Sequence, residues 1–146
     1  MARPTAAAPN LGTDPAHTRL RWATAVFAVA LLTHGADHLR RGMDTISSTV
    51  MALGTVQFVL ALATIVLVCT GHRRAPLAAV AIGFVSAAGF ILVHLFPDWF
   101  GPFSDSFINP PAAAKVTGFS WFAAIFEIIA DLILGFAGLR ARRAVA

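Results

Sequence analysis

Four apolar stretches, at about residues 20–39, 45–70, 76–96 and 116–139, constrain this chain more than any other feature. Each is long enough to cross a bilayer as a helix, which rises 1.5 Å per residue through a hydrocarbon layer about 30 Å thick. Hydrophobic residues make up 58% of the 146-residue chain and charged ones 12%, about half the usual charged share of a soluble domain. Mean hydropathy is +0.75. A soluble fold of this size has no interior large enough for that much apolar surface. The expectation is an all-α, integral membrane four-helix bundle over residues 19–143, of up-down-up-down topology, in the inner or plasma membrane. Residues 1–18, rich in Ala and Pro with no apolar period, read as a disordered tail.

The first stretch needs an argument. Its purely apolar part, residues 23–32, is too short to span. One reading is a cleaved signal peptide, because Ala28-Val29-Ala30 has small-residue spacing, but that site lies inside the apolar run. The other carries the helix on through "LLTHGADHLRRG" at 31–42. Residues 22–39 then span roughly 27 Å, which suffices. The second stretch follows Asp44, a candidate N-cap, and ends at Gly71 before His72-Arg73-Arg74. The third opens on Pro76 and stops before Pro97. Residues 97–115, "PDWFGPFSDSFINPPAAAK", carry aromatics and prolines that suit a lid at the membrane interface.

Basic residues set the orientation. Arg3, Arg19, Arg21, Arg73, Arg74, Arg140, Arg142 and Arg143 fall on one side of such a bundle, and Arg40, Arg41 and Lys115 on the other. The positive-inside rule then places both termini in the cytoplasm. The sequence pI near 11.1 does not indicate nucleic acid, because the arginines flank apolar runs and form no patch with interleaved aromatics. Anionic lipid headgroups are the better partner for them. The one cysteine, Cys69, excludes a disulfide or thiolate cluster within the chain, and there is no tyrosine.

Polar residues inside the stretches recur at helical spacing. Gly54, Gln57, Ala61 and Thr64 do so in the second, and Ala79, Gly83, Ala87, Phe90 and His94 in the third. In the fourth the set is Ser120, Ala124, Glu127, Asp131, Gly135 and Gly138. In the first, His34, Asp37 and His38 share a face with Phe27 and Ala30. Small and polar stripes of this kind are what packed membrane helices present to one another. Counted from Leu39, Phe96 and Trp121 as outer edges, His34 lies roughly 7 Å deep, His94 about 3 Å and Glu127 roughly 9 Å. The expected metal site is therefore His34, His38, His94 and Glu127, with Asp131 one turn further in.

Imidazole and carboxylate donors suit Zn, Fe, Mn or Cu. His34 and His38 have the i, i+4 spacing of the HExxH zinc helices, although Asp37 precedes His38 rather than following His34. The Glu-x-x-His pairs of di-iron bundles are absent. A haem between His34 and His94 is conceivable, without attachment cysteines. Each residue also has a plainer reading. Asp37 has Arg40 and Arg41 at i+3 and i+4 for local ion pairs, and His38 can be solvated at the headgroups. His34 and His94 can serve as interhelical hydrogen-bond donors. Glu127 needs a partner or a proton, and Asp131 can pair with Gln57. Ser104-Asp105-Ser106 reads as a loop turn or cap, and His72 as a headgroup-side residue.

The runs "HGADHLRRG", "HLFPDW", "FSDSF" and "SWFAAIFE" resemble a group of small four-helix membrane proteins of actinobacterial type. That resemblance implies the architecture and no activity. Size, four spans and the His-Gly pair near the end of the first also resemble the DoxX-like membrane proteins, from which no residue role carries over. Three functions remain open: a metal or haem site for redox chemistry or metal handling, a non-catalytic subunit of a larger membrane complex, and an oligomeric proton-coupled transporter built on Glu127 and Asp131. Whether the chain is an enzyme is not set by its residues.

Overall fold

The computed structural model describes residues 15–144. They form four helices: α1 (Pro15–Arg41), α2 (Ser48–Cys69), α3 (Ala75–Phe90, continued by a π-helical turn Ile91–Leu95) and α4 (Gly118–Arg143). The fold is all-α, as expected, and three helices, Ser48–Cys69, Ala75–Leu95 and Gly118–Arg143, are long and apolar enough to cross a membrane. α1 has the length but carries Arg19, Arg21, Asp37, Arg40 and Arg41. Its outward stripe of Trp22, Val26, Val29, Leu32 and Leu39 is nevertheless apolar and exposed. The helix opens at Pro15, so residues 15–18 belong to it rather than to a tail. Residues 1–14 of that expected tail lie outside the described residues.

Large side chains face out and small ones face in. Leu53, Val56, Val66, Val85, Phe122, Ile129 and Phe136 are exposed, while Ala30, Ala61, Ala79, Ala123, Ala124 and Ala130 are fully buried. Water as the solvent favours the reverse, whereas lipid removes the penalty on exposed apolar groups and leaves close backbone packing as the source of cohesion. Glycine sets that approach between α3 and α4. A methyl group on Gly83 would lie 2.5 Å from the Asp131 carbonyl oxygen and the Gly135 nitrogen, and one on Gly138 would lie 2.8 Å from the Pro76 carbonyl. These pairs also show that α3 and α4 run antiparallel. α4 packs against α1 as well, and α2 lies at the periphery with only Val50, Ala61, Thr64 and Val68 buried. Gly54, expected on its inner face, is exposed. Gln57 is held there instead, donating from Nε2 to the Ser86 hydroxyl at 3.2 Å.

The helix ends follow local chemistry. After α1, Gly42 turns the chain at φ 97° into a 3₁₀ turn, Met43–Thr45. That turn takes up Asp44, so the N-cap of α2 is Ser47, whose hydroxyl accepts from Val50 N–H at 3.1 Å. At the other end of α2, Gly71 adopts φ 64°. Its N–H donates to the Val68 carbonyl at 3.1 Å and that of His72 to Leu67 at 2.9 Å, the paired bonds of a Schellman ending. Pro76 lies in the first turn of α3, and Phe96 is extended before Pro97, both as the sequence indicates.

Candidate metal centre

α1 and α3 bring three histidines to one end of the bundle. His34 and His38 lie one turn apart on the inner face of α1, and their Nε2 atoms are 2.9 Å apart. His94 reaches them from the π-helical turn, its ring centroid 5.0 Å from that of His34 and 6.0 Å from that of His38. One nitrogen from each ring lies within 4.8 Å of the others. A tetrahedral ion with bonds of about 2.0–2.1 Å holds its ligand nitrogens roughly 3.3 Å apart, so binding would open the His34–His38 pair slightly and bring His94 closer to it. His34 and His94 are buried and His38 is half-buried.

The loop after α3 orients His94. The π turn leaves the terminal carbonyls of α3 without helical partners, and the loop supplies them. Asp105 N–H donates to Val93 O at 3.1 Å, Phe107 N–H to His94 O at 2.9 Å, and the Ser106 hydroxyl to Phe96 O at 2.6 Å. This lays the Asp105 carbonyl 3.0 Å from His94 Nδ1. A carbonyl only accepts, so Nδ1 carries the proton and Nε2 presents its lone pair. Phe107, 3% exposed, covers the cluster with its ring 4.6 Å from that of His94. Phe90 packs against His34 at 4.7 Å.

A buried ion pair fixes the loop. Arg41, with no exposed surface, donates from Nη1 to Asp105 Oδ2 at 2.7 Å and from Nη2 to Oδ1 at 2.5 Å. Its Nε donates to the Ala114 carbonyl at 2.8 Å, and its guanidinium lies 5.3 Å from the Phe107 ring centroid. Burial pushes the Asp105 carboxyl up, but the Arg41 hydrogen bonds, the neighbouring His94 and the Arg41 charge outweigh it and hold the group below its ordinary 3.8. Arg41 thus answers to Asp105 and not, as the i+4 spacing suggests, to Asp37. Asp37 does pair with Arg40, at 3.0 and 2.9 Å. It also accepts from the Ser120 hydroxyl at 3.1 Å, tying α1 to the start of α4.

That last bond explains where Glu127 is. It sets Ser120 level with Asp37, and Glu127, seven residues further along α4, falls about 10 Å deeper. Neither Glu127 nor Asp131 belongs to the histidine group. Both are fully buried, and none of their four carboxyl oxygens has a hydrogen-bond partner. The convergence expected from depth therefore holds for His34, His38 and His94 and not for the carboxylates. Gln57, named as a partner for Asp131, turns to Ser86. Sequence reasoning did not find Arg41, Asp105 or Phe107. The available signal was weak: the loop carries two acids among its prolines, Asp98 and Asp105, and nothing local says which one an arginine at the end of α1 would meet.

Comparisons with protein-family models, curated proteins and solved structures give no match to this chain.

Proposed function

We propose that the chain is a multi-pass cell-membrane protein that binds one transition-metal ion on His34, His38 and His94 at the outer end of its bundle. The observation that carries this reading is the convergence of one nitrogen from each ring within 4.8 Å. It is supported by the Asp105 carbonyl, which selects the ligating tautomer of His94. Three neutral imidazoles without thiolate or carboxylate favour Zn or Cu over Mn, Mg or Ca. Three protein ligands leave a fourth position for water or a further ligand, the pattern of an open site. That suits handing an ion on, or chemistry at the ion, better than a closed structural centre.

A single ion fits better than haem. His34 is packed by His38 at 4.6 Å, Phe90 at 4.7 Å and His94 at 5.0 Å between ring centroids, which leaves no slot for a macrocycle between the histidines. α1 serves as the fourth span in this reading, with its apolar stripe toward lipid and its histidines inward. Titration of the metal-free protein in detergent with Zn2+ and Cu2+, followed by calorimetry, tests the proposal. One site per chain, removed by His94→Ala, is expected. Equal uptake by wild type and His94→Ala would refute it.

A further inference from the structure

At the end opposite the histidines, the helix ends border an open cleft of about 630 Å³. Its floor is apolar, from Leu20, Val68 and Pro76, and its rim carries Arg21, Arg73, Arg74 and Arg142. These arginines come from three places: α1, the turn between α2 and α3, and the last turn of α4. Such convergence differs from basic residues scattered along a membrane edge.

Their pairing differs too. At the histidine end Arg40 is bonded to Asp37 and Arg41 to Asp105. At the cleft none of the four rim arginines has an acidic partner, and no carboxylate lines the space among the described residues. Four like charges around one concavity repel one another unless an anion sits between them. The site is at the end of apolar helices, where headgroups lie, and its floor is apolar enough for the glycerol and first methylenes of a lipid.

We infer that this cleft is a binding site for one anionic phospholipid, the rim arginines holding its phosphate and the Leu20–Val68–Pro76 floor its glycerol end. This rests on residence of the chain in a bilayer and not on the metal site. Guanidinium groups recognise phosphate through paired N–H donors, and several arginines around one cleft favour a headgroup of net negative charge over phosphatidylcholine, whose choline cation they repel. A free phosphate would satisfy the same donors but would leave the apolar floor uncovered.

The test uses the full chain in nanodiscs of phosphatidylcholine doped with phosphatidylglycerol, then native mass spectrometry after release into detergent. Two triple variants carry the same charge change. Arg21→Gln/Arg74→Gln/Arg142→Gln alters the rim, and Arg19→Gln/Arg140→Gln/Arg143→Gln alters exposed arginines outside it. Wild type and the outside variant are expected to keep one phosphatidylglycerol per chain and no phosphatidylcholine. The rim variant is expected to bind it roughly a hundredfold more weakly, each lost arginine–phosphate hydrogen bond contributing about fivefold. Arg74→Gln alone, with an unchanged unfolding temperature in lipid-free detergent as the check on folding, is expected to give a partial loss. Equal loss in both triple variants would mean diffuse surface charge and overturn the site. Inorganic phosphate that displaces the lipid, or raises the unfolding temperature as much as the lipid does, would make the occupant a soluble anion and overturn the lipid assignment.

Discussion

The Asp105 carbonyl orients His94, while its carboxylate pairs with Arg41 and lies 3.6 Å from His94 Nδ1. Asp105→Asn keeps the first and removes the charge of the second. It strands a fully buried guanidinium, and a loss of about 3–5 kcal/mol in stability is expected. Because the folded protein holds this carboxyl below its ordinary value, the ion pair contributes fully above pH 3.8 and is lost as pH falls through the lower folded value. Thermal unfolding in detergent on an acid series should show that loss in wild type and not in Asp105→Asn. A parallel fall in both would place the acid sensitivity elsewhere. Glu127 makes the opposite case. Its oxygens have no partners, so replacing it by a similar-sized apolar residue removes an uncompensated burial. Glu127→Met should raise stability by about 1–3 kcal/mol, and a drop would reveal a partner that the geometry does not show.

Between elements, cohesion comes from small residues where α3 meets α4. Gly83→Ala drives a methyl into the Asp131 carbonyl and should cost about 1–3 kcal/mol through overpacking. Gly89 lies on the same helix with nothing within 4 Å, and Gly89→Ala should be neutral or stabilising by up to about 1 kcal/mol. The order of the two melting temperatures checks the interface. Much at this scale could be read from the chain. The stripe from Ser120 to Gly138 is buried at every named position, because helical period and residue size both report on lipid-free faces. Gly71 and Pro76 announced their turns through backbone constraints that act locally. One failure was local: Asp44 was a sound cap by type, but it lies in the turn that follows Gly42, and the cap is Ser47, three residues further on. The other two were long-range. Arg41 had a carboxylate at i−4 in sequence and a better one across the loop in space. Depth counting placed Glu127 near the histidines because it fixed each helix to an assumed edge. The Asp37–Ser120 bond, which fixes the true register, joins residues far apart in sequence.

For the whole molecule, four helices of alternating direction put Cys69 and both ends of the described chain at the arginine end and the loop at residues 96–117 at the histidine end. Cys69 is exposed and is the only cysteine, so a membrane-impermeant maleimide reads topology directly. Whole cells should leave Cys69 unlabelled, and Ser104→Cys in a Cys69→Ser background should label. The reverse pattern would invert the bundle. A bundle with these faces has two chemically distinct ends. One gathers imidazoles under a loop held by a buried ion pair, and the other gathers unpaired guanidiniums around a cleft. The claim on which the functional account turns is that the first end holds a metal ion. Elemental analysis of the protein purified without added metal or chelator tests it most directly, with His94→Ala and Glu127→Met beside it. About one Zn or Cu per chain is expected in wild type and in Glu127→Met, and loss of it in His94→Ala. Metal-free wild type that also takes up none when Zn2+ and Cu2+ are supplied would contradict it.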